Sequence, residues 1–418
     1  MERILDQTHN RTTIYYALSR MFERGGYYGL RSILVLYLIN DNTLGMDQAE
    51  AFRIYGWLFA LIVFTQIVGA LLGDLLIGNK NSIIAGNIIQ AIGAFCFIIP
   101  SQIGLYAGIL ILAVGTGLYS PNLFAHFGKS YLNKPKLLDS AFSGIYASIN
   151  IGALIGTVLM GYIAEEIGYP YGFAMSGLFM IIALIFPIIA GDKEIKAKPP
   201  EYRKASGGQR TLAVIGVIAA GALFWAIYEL VGQDVYQVKN SFSSLFVGTR
   251  LSGIQMYITE IMAIPIMICI LVLWRSFYIR SSLKVLIGVG FAAAAFTALS
   301  FLPEDITFST FGMFIGIMAL LTVAEMCIAP LIFSVITKYT DPRYIAIVVS
   351  AAFIPGRIFN AINTQILYKF NEEEIIKSIG LGLIVFLFLG VAIYFLTTKD
   401  GIQTVVENED EVNSIGSE

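Results

Sequence analysis

The feature that most restricts what this chain can become is its division into apolar blocks of about 20 residues, the length a helix needs to cross a bilayer core at 1.5 Å per residue. Short polar or Pro/Gly-containing breaks separate them. Twelve blocks can be read, near residues 13–40, 53–77, 82–100, 103–129, 139–164, 169–191, 211–237, 249–274, 282–302, 308–337, 344–368 and 376–397. Only 13% of the 418 residues are charged and 57% are hydrophobic; a soluble domain carries about twice that charge. The chain therefore reads as an all-α polytopic membrane protein, with the lipid bilayer as its surroundings.

Orientation follows from where Lys and Arg fall, because cytoplasmic loops carry the excess. Lys80 follows span 2, Lys134 and Lys136 follow span 4, and a basic run from Lys193 to Arg210 follows span 6. Arg275, Arg280 and Lys284 follow span 8, and Lys338 and Arg343 follow span 10. The intervening loops, such as "DNTLGMDQAE", "EEIGYP" and "PEDIT", are poor in basic residues, with exceptions at Lys239, Arg250, Lys369 and Lys377. Both termini are expected in the cytoplasm, with the protein integral to the cell (cytoplasmic or inner) membrane. The polar N-terminus shows no cleavage signal, so span 1 is expected to be retained. The linker at 192–210 divides the chain into a six-helix bundle over 1–191 and another over 211–398; the acidic tail at 399–418 is expected to be disordered.

Nothing in the pattern points to nucleic acid, a cofactor or a metal. Cys96, Cys269 and Cys327 lie inside apolar blocks and read as small packing residues. No nucleophile–base pair or metal-spaced cluster appears, which disfavours an enzyme.

The informative residues are charges inside the spans, where such groups face the bundle interior or a water-filled cavity. In span 1, Arg20, Arg24, Tyr27/Tyr28 and Arg31 share one helical stripe, with Glu23 beside it. Gly25, Gly26 and Gly29 run alongside, allowing close helix approach. Span 4 carries Asn122, His126 and Lys129; spans 7, 8 and 10 carry Glu229, Glu260 and Glu325; span 11 carries Arg357, Asn360, Asn363 and Gln365. An isolated intramembrane glutamate is a proton carrier, the partner of a substrate amine, or half of a structural ion pair.

These segments together resemble the proton-dependent oligopeptide transporter family of the major facilitator superfamily. "ERGGYYGLRSILVLYL" is similar to its span-1 signature, Glu-x-x-Glu-Arg-Phe-x-Tyr-Tyr-Gly-x-Arg, and "FSGIYASINIGALIG" (142–156) to its span-5 signature, Phe-Tyr-x-x-Ile-Asn-x-Gly. "FWAIYELVGQ" and "AEMCIAPLIFSVITKYTDPR" resemble its span-7 and span-10 glutamate motifs, and "GALLGDLLIGNKNS" (69–82) the superfamily's loop between spans 2 and 3. The resemblance implies twelve helices in two six-helix bundles with a site between them. It also implies secondary active transport: proton-coupled symport of a di- or tripeptide, or a peptide-like solute, by alternating access, in a protein working as a monomer.

Carried over residue by residue, Arg31 would meet the peptide carboxylate, Glu325 the α-amine, and Tyr27, Tyr28, Tyr146 and Asn150 would line the pocket. Glu229 would sit near the extracellular gate and, with Glu23, Arg24 and Glu325, take part in proton coupling; protonation of a glutamate would break pairs between the halves. Asp74 would gate from the end of span 2. Several positions depart from the family. Its first span-1 glutamate is Arg20, its span-1 phenylalanine is Gly25, and its span-4 lysine is Ser120 in "LYSPN". The serine after the span-10 glutamate is Ala329, and the span-2 tyrosine position falls near Val63 or Phe64. Lys129 lies nine residues past Ser120, on the opposite helix face. These changes leave open a second expectation: a diverged member moving a non-peptide organic anion or amphiphile without ordinary proton coupling.

Overall fold

The computed structural model describes residues 2–3, 8–191, 202–203, 205–249, 254–279 and 281–365. The expected twelfth span, most of the 192–210 linker, the acidic tail and the side chains of Arg357, Asn360, Asn363 and Gln365 lie outside the described residues. The helices are α1 (Thr12–Ile39), α2 (Gln48–Leu72), α3 (Asn79–Cys96), α4 (Gln102–Lys129), α5 (Leu138–Glu166), α6 (Tyr169–Ala190), α7 (Gly207–Ser241), α8 (Ile258–Ser276), α9 (Ser281–Ser300), α10 (Phe308–Tyr339) and α11 (Ile345–Gln365). Glu2–Arg3 pairs antiparallel with Phe277–Tyr278 in a two-residue ladder.

The starts are set locally. Asp47 accepts from the Ala49 N–H, Ser101 from Gly104 and Thr307 from Thr310, while Ser206 and Gln209 form a reciprocal capping box; each satisfies backbone donors that a helix end leaves orphaned. Eight of the described helices are long and apolar enough to cross a membrane by length and composition. The α1 helix falls short of that apolarity because Glu23, Arg24 and Arg31 interrupt it. Glu260 is not the intramembrane carboxylate expected from its span. It lies in the first turn of α8, with its side chain 49% exposed and paired to Lys239 at 2.9 Å.

In lipid, helices gain little from hiding apolar surface, so association rests on close packing. α1 lies against α5 and α6, and glycines make that approach possible. A Cβ at Gly152 would fall 2.0 Å from the Met21 carbonyl oxygen, and one at Gly156 2.0 Å from that of Gly25. Other N-half contacts join α2 to α4, α3 to α4 and α6, α5 to α6 and α1 to α2. In the other half, α10 packs on α7, α8 and α9, and α11 on α7. The halves meet through α5 against α8 and α10, and through α2 and α4 against α11, with α4 also touching α10.

That meeting is concentrated at the end of the molecule carrying the Lys-rich loops. Phe124 of α4 stacks on Phe333 of α10 with centroids 3.9 Å apart, and Phe142 of α5 and Phe353 of α11 surround them. Such ring pairs contribute about 0.5–1.5 kcal/mol each beyond the area they bury. Gly128 of α4 faces Thr337 of α10 so closely that a Cβ would lie 2.5 Å from its hydroxyl. Toward the opposite end, Tyr28, Arg31, Tyr228 and Glu229 are only half-buried. The path between the halves is closed at the basic end.

Candidate functional site

The seal contains charges that loop counting had placed in water. Asp139, in the first turn of α5, is 1% exposed. It accepts from Lys284 of α9 at 2.8 Å, Lys338 of α10 at 2.9 Å, Ser334 of α10 at 2.5 Å and Ser281 of α9 at 3.2 Å. Lys284 and Lys338 are themselves 1% and 4% exposed, and Lys284 lies over the Trp274 ring at 4.6 Å. One N-half carboxylate thus joins two C-half ammonium groups across the interface. Neither its burial nor its partners were legible; the signal available was an acid at the start of an otherwise apolar span.

Asp74 reaches the same interface from another direction. After Leu72 the α2 helix widens into a π turn, Gly73–Ile77, and such turns often mark functional positions. From there Asp74 accepts from the backbone N–H of Ile347 in the first turn of α11 at 3.0 Å, and from Asn79 at 3.0 Å. A carboxylate at a helix N-terminus is favourably placed against the helix dipole. Lys129 serves this cluster, donating to Asn79 at 2.5 Å and approaching Asp74 at 3.4 Å. Asn122 accepts from Asn79 at 2.7 Å and donates to the Gly69 carbonyl at 2.8 Å.

Glu23 is fully buried and held by arginines of its own helix. Arg24 grips both oxygens, at 2.7 and 2.5 Å, and Arg20 donates to one at 3.0 Å. These pairs lie within α1 and do not cross between the halves as expected of a coupling glutamate. Arg20 also donates to Ser120 at 3.2 Å and lies 5.0 Å over the Phe124 ring. The cation that the resemblance places on span 4 is supplied here from span 1.

Arg31 sits about two to three turns further along α1, among aromatic faces. Its guanidinium carbon is 4.6 Å from the Phe59 centroid, 5.3 Å from Tyr28, 5.6 Å from Tyr27 and 5.8 Å from Tyr55. Its Nε donates to the Tyr55 hydroxyl at 3.0 Å, and among the described residues no carboxylate pairs with it. Tyr55 and Phe59 form an i, i+4 aromatic pair on α2 that the sequence reading missed, having looked for a tyrosine near Val63 or Phe64.

Across the cleft, Tyr146 of α5 donates a hydrogen bond to Glu325 of α10, the expected glutamate link between the halves. Tyr146 is within electrostatic reach of Tyr28 on α1 and Tyr228 on α7. Glu229 follows Tyr228, whose ring meets Trp225 edge-on at 5.4 Å, and is half-buried. Asn150 is also half-buried, its amide donating to the Tyr146 carbonyl one turn back at 3.1 Å. The Tyr27 ring lies 4.3 Å from the Arg24 guanidinium. Tyr146 and Glu325 are therefore in contact, with Tyr28 within electrostatic reach, and the Arg31 guanidinium stands 5.3 Å from the Tyr28 ring. Glu23 and Arg24 lie deeper in the N half, and Asp74 is apart from both, at the seal.

Two helical bundles closed on one another at one end, with a charged cleft between them, define a membrane transporter. The chain matches the family model described as Major Facilitator Superfamily over residues 16–363, and it belongs to that superfamily. It is 32% identical over 213 residues to dipeptide and tripeptide permease A of Proteus mirabilis, covering 50% of this chain and 43% of the permease. It is 33% identical over 203 residues to dipeptide and tripeptide permease B of Edwardsiella piscicida, covering 47% and 40%. The matched stretch spans less than half the length of either relative. Among solved structures, a peptide transporter of the POT family in complex with sulfate superimposes with a TM-score of 0.64 at 19% identity, covering 92% of this chain and 94% of the other. That likeness establishes the fold.

Proposed function

We propose that this chain is a proton-dependent oligopeptide transporter carrying di- or tripeptides, or peptide-like solutes, by alternating access. The observation that carries this reading is the division of charge across the cleft. A cation with an open edge, Arg31, sits on the N half beside Tyr28; a carboxylate, Glu325, sits on the C half, bonded to Tyr146. Guanidinium binds a carboxylate through parallel hydrogen bonds, and a carboxylate suits an ammonium. A peptide zwitterion meets both while its side chains go unread. The names of the relatives support the peptide class, and a POT-family structure solved with 5-aminolevulinic acid supports amino-acid-like ligands.

In this reading Tyr27, Tyr28, Tyr146 and Asn150 line the pocket and Glu229 closes it from the far side. The Tyr146–Glu325 bond is the contact between the halves that a proton on Glu325 weakens, and the Glu23–Arg24 pair supports span 1 behind the pocket. Asp74 gates by holding the first turn of α11. The protein works as a monomer in the cytoplasmic membrane with both termini inside, so the closed basic end is cytoplasmic and the cleft opens outward. Uptake of labelled dialanine into proteoliposomes, with and without an inward proton gradient, tests this. Gradient-stimulated uptake is expected; absence of both uptake and peptide counterflow sinks it.

One observation favours a second reading. The buried set of Arg20, Glu23, Arg24 and Ser120 carries one excess positive charge, which suits movement of an organic anion without ordinary proton coupling. A ligand-stabilisation screen of dipeptides against organic acids separates the two.

A further inference from the structure

Arg31 holds its guanidinium in an unusual way for a residue with no carboxylate partner among the described residues. Four aromatic faces surround it, from Tyr27 and Tyr28 on α1 and Tyr55 and Phe59 on α2. Rings at these distances attract a cation and keep water off it, most strongly where the site is desolvated. A single hydrogen bond fixes its rotation, Nε to the Tyr55 hydroxyl at 3.0 Å. Its two terminal nitrogens meet no acceptor among the described residues, and neither is fully buried.

A guanidinium has five N–H groups in one plane and two edges on which an anion can dock with parallel bonds: the side edge, Nε with one terminal nitrogen, and the end edge, formed by both terminal nitrogens. Tyr55 occupies Nε, so the side edge is lost and only the end edge remains. Two oxygens of a planar carboxylate fill that edge completely. A tetrahedral phosphonate has a third oxygen out of the guanidinium plane, which the two N–H groups left on Arg31, in that plane and pointing away from the docked edge, do not reach. Phe59, 4.6 Å beneath the guanidinium, holds its plane.

We propose that Tyr55 and Phe59 are positioning residues of the anion subsite, and that Tyr55, by occupying Arg31 Nε, makes the site select a planar carboxylate terminus over a tetrahedral anion. The inference rests on the peptide-transport reading, since it takes the ligand's carboxylate to dock on Arg31. Tyr55 and Phe59 act through Arg31 and need not touch the ligand.

The test is calorimetric binding to the purified full chain with three probes: dialanine, its C-terminal amide and its C-terminal phosphonate analogue. Tyr55→Phe removes the one hydroxyl and keeps the ring. It is expected to weaken dialanine by about three- to tenfold, the range for one ordinary hydrogen bond, because Tyr55 acts on the ligand only through Arg31. The amide should be unaffected, and the phosphonate should gain relative to dialanine. In an Arg31→Lys background, adding Tyr55→Phe should cost nothing more. Phe59→Leu, which leaves every hydrogen bond in place, should also weaken dialanine while sparing the amide. Equal loss for dialanine and amide would mean a merely structural role and overturns the inference. So does an unchanged carboxylate-to-phosphonate ratio, or dialanine binding that neither variant alters. If the unaltered chain binds no dialanine, the peptide reading fails and the inference fails with it; dialanine binding indifferent to Tyr55 and Phe59 overturns the inference alone.

Discussion

Replacing Asp139 by Asn probes the seal directly. In the closed arrangement the carboxylate is bonded to two ammonium groups, each no more than 4% exposed, and to two hydroxyls, all from the opposite half. The amide keeps the shape and removes the charge, leaving Lys284 and Lys338 buried without it. Losing one partner of a buried ion pair costs about 3–5 kcal/mol. When the halves separate at this end the lysines regain water, so the cost falls mainly on the closed form. At about 1.4 kcal/mol per tenfold, the closed-to-open ratio should fall by about a hundredfold to a few thousandfold. Thr337, fully buried against Gly128, is a suitable reporter. With the three native cysteines replaced by alanine, a cysteine at 337 should react slowly with a water-soluble maleimide, and much faster once Asp139→Asn is added. Adding Lys284→Gln should recover part of the protection, because replacing both members of a buried ion pair is far less costly than removing one. Labelling no faster in the Asp139→Asn protein than in its parent would refute the view that this cluster holds the end shut.

Arg31→Ala should abolish dialanine uptake with the thermal unfolding midpoint unchanged, since among the described residues Arg31 has no ion-pair partner to strand; normal uptake would remove it from the site. Gly156→Ala puts a Cβ 2.0 Å from the Gly25 carbonyl oxygen; overpacking of this kind costs about 1–3 kcal/mol and should lower the unfolding midpoint. His9 precedes α1 and ties the N-terminal segment to the α4–α5 turn, one ring nitrogen 2.8 Å from the Tyr131 hydroxyl and the other 3.2 Å from Ser140. Burial, then the nearby charges of Arg275 and Lys134, lowers its pKa from the ordinary 6.5. The unfolded chain therefore takes up the proton first, so this segment should be fully held above about pH 6.5 and loosen as pH falls through that range. Hydrogen exchange of residues 8–13 should show that dependence, and His9→Gln should remove it.

Much of the fold was legible because it follows from one-dimensional quantities. A helix must supply about 20 apolar residues to cross a bilayer, so span number and rough bounds could be counted, and α1 runs from Thr12 to Ile39 against an expected 13–40. Helical periodicity placed Arg20, Arg24, Tyr28 and Arg31 on one stripe, and the span-1 glycines announced a tight neighbour. What periodicity cannot give is which other helix that stripe meets. Lys284 and Lys338 look like ordinary loop lysines until α5 brings Asp139 between them, and Glu260 looks buried until α8 is seen to begin beside it. Tyr55 gains its role only because α2 passes α1 at the depth of Arg31. The sequence by itself determined the number of crossings, the faces of the helices and the kinds of charge available to them. Only the tertiary structure decided which charges pair, because a buried charge is stabilised by partners distant in the chain, and their distance is a property of packing between helices.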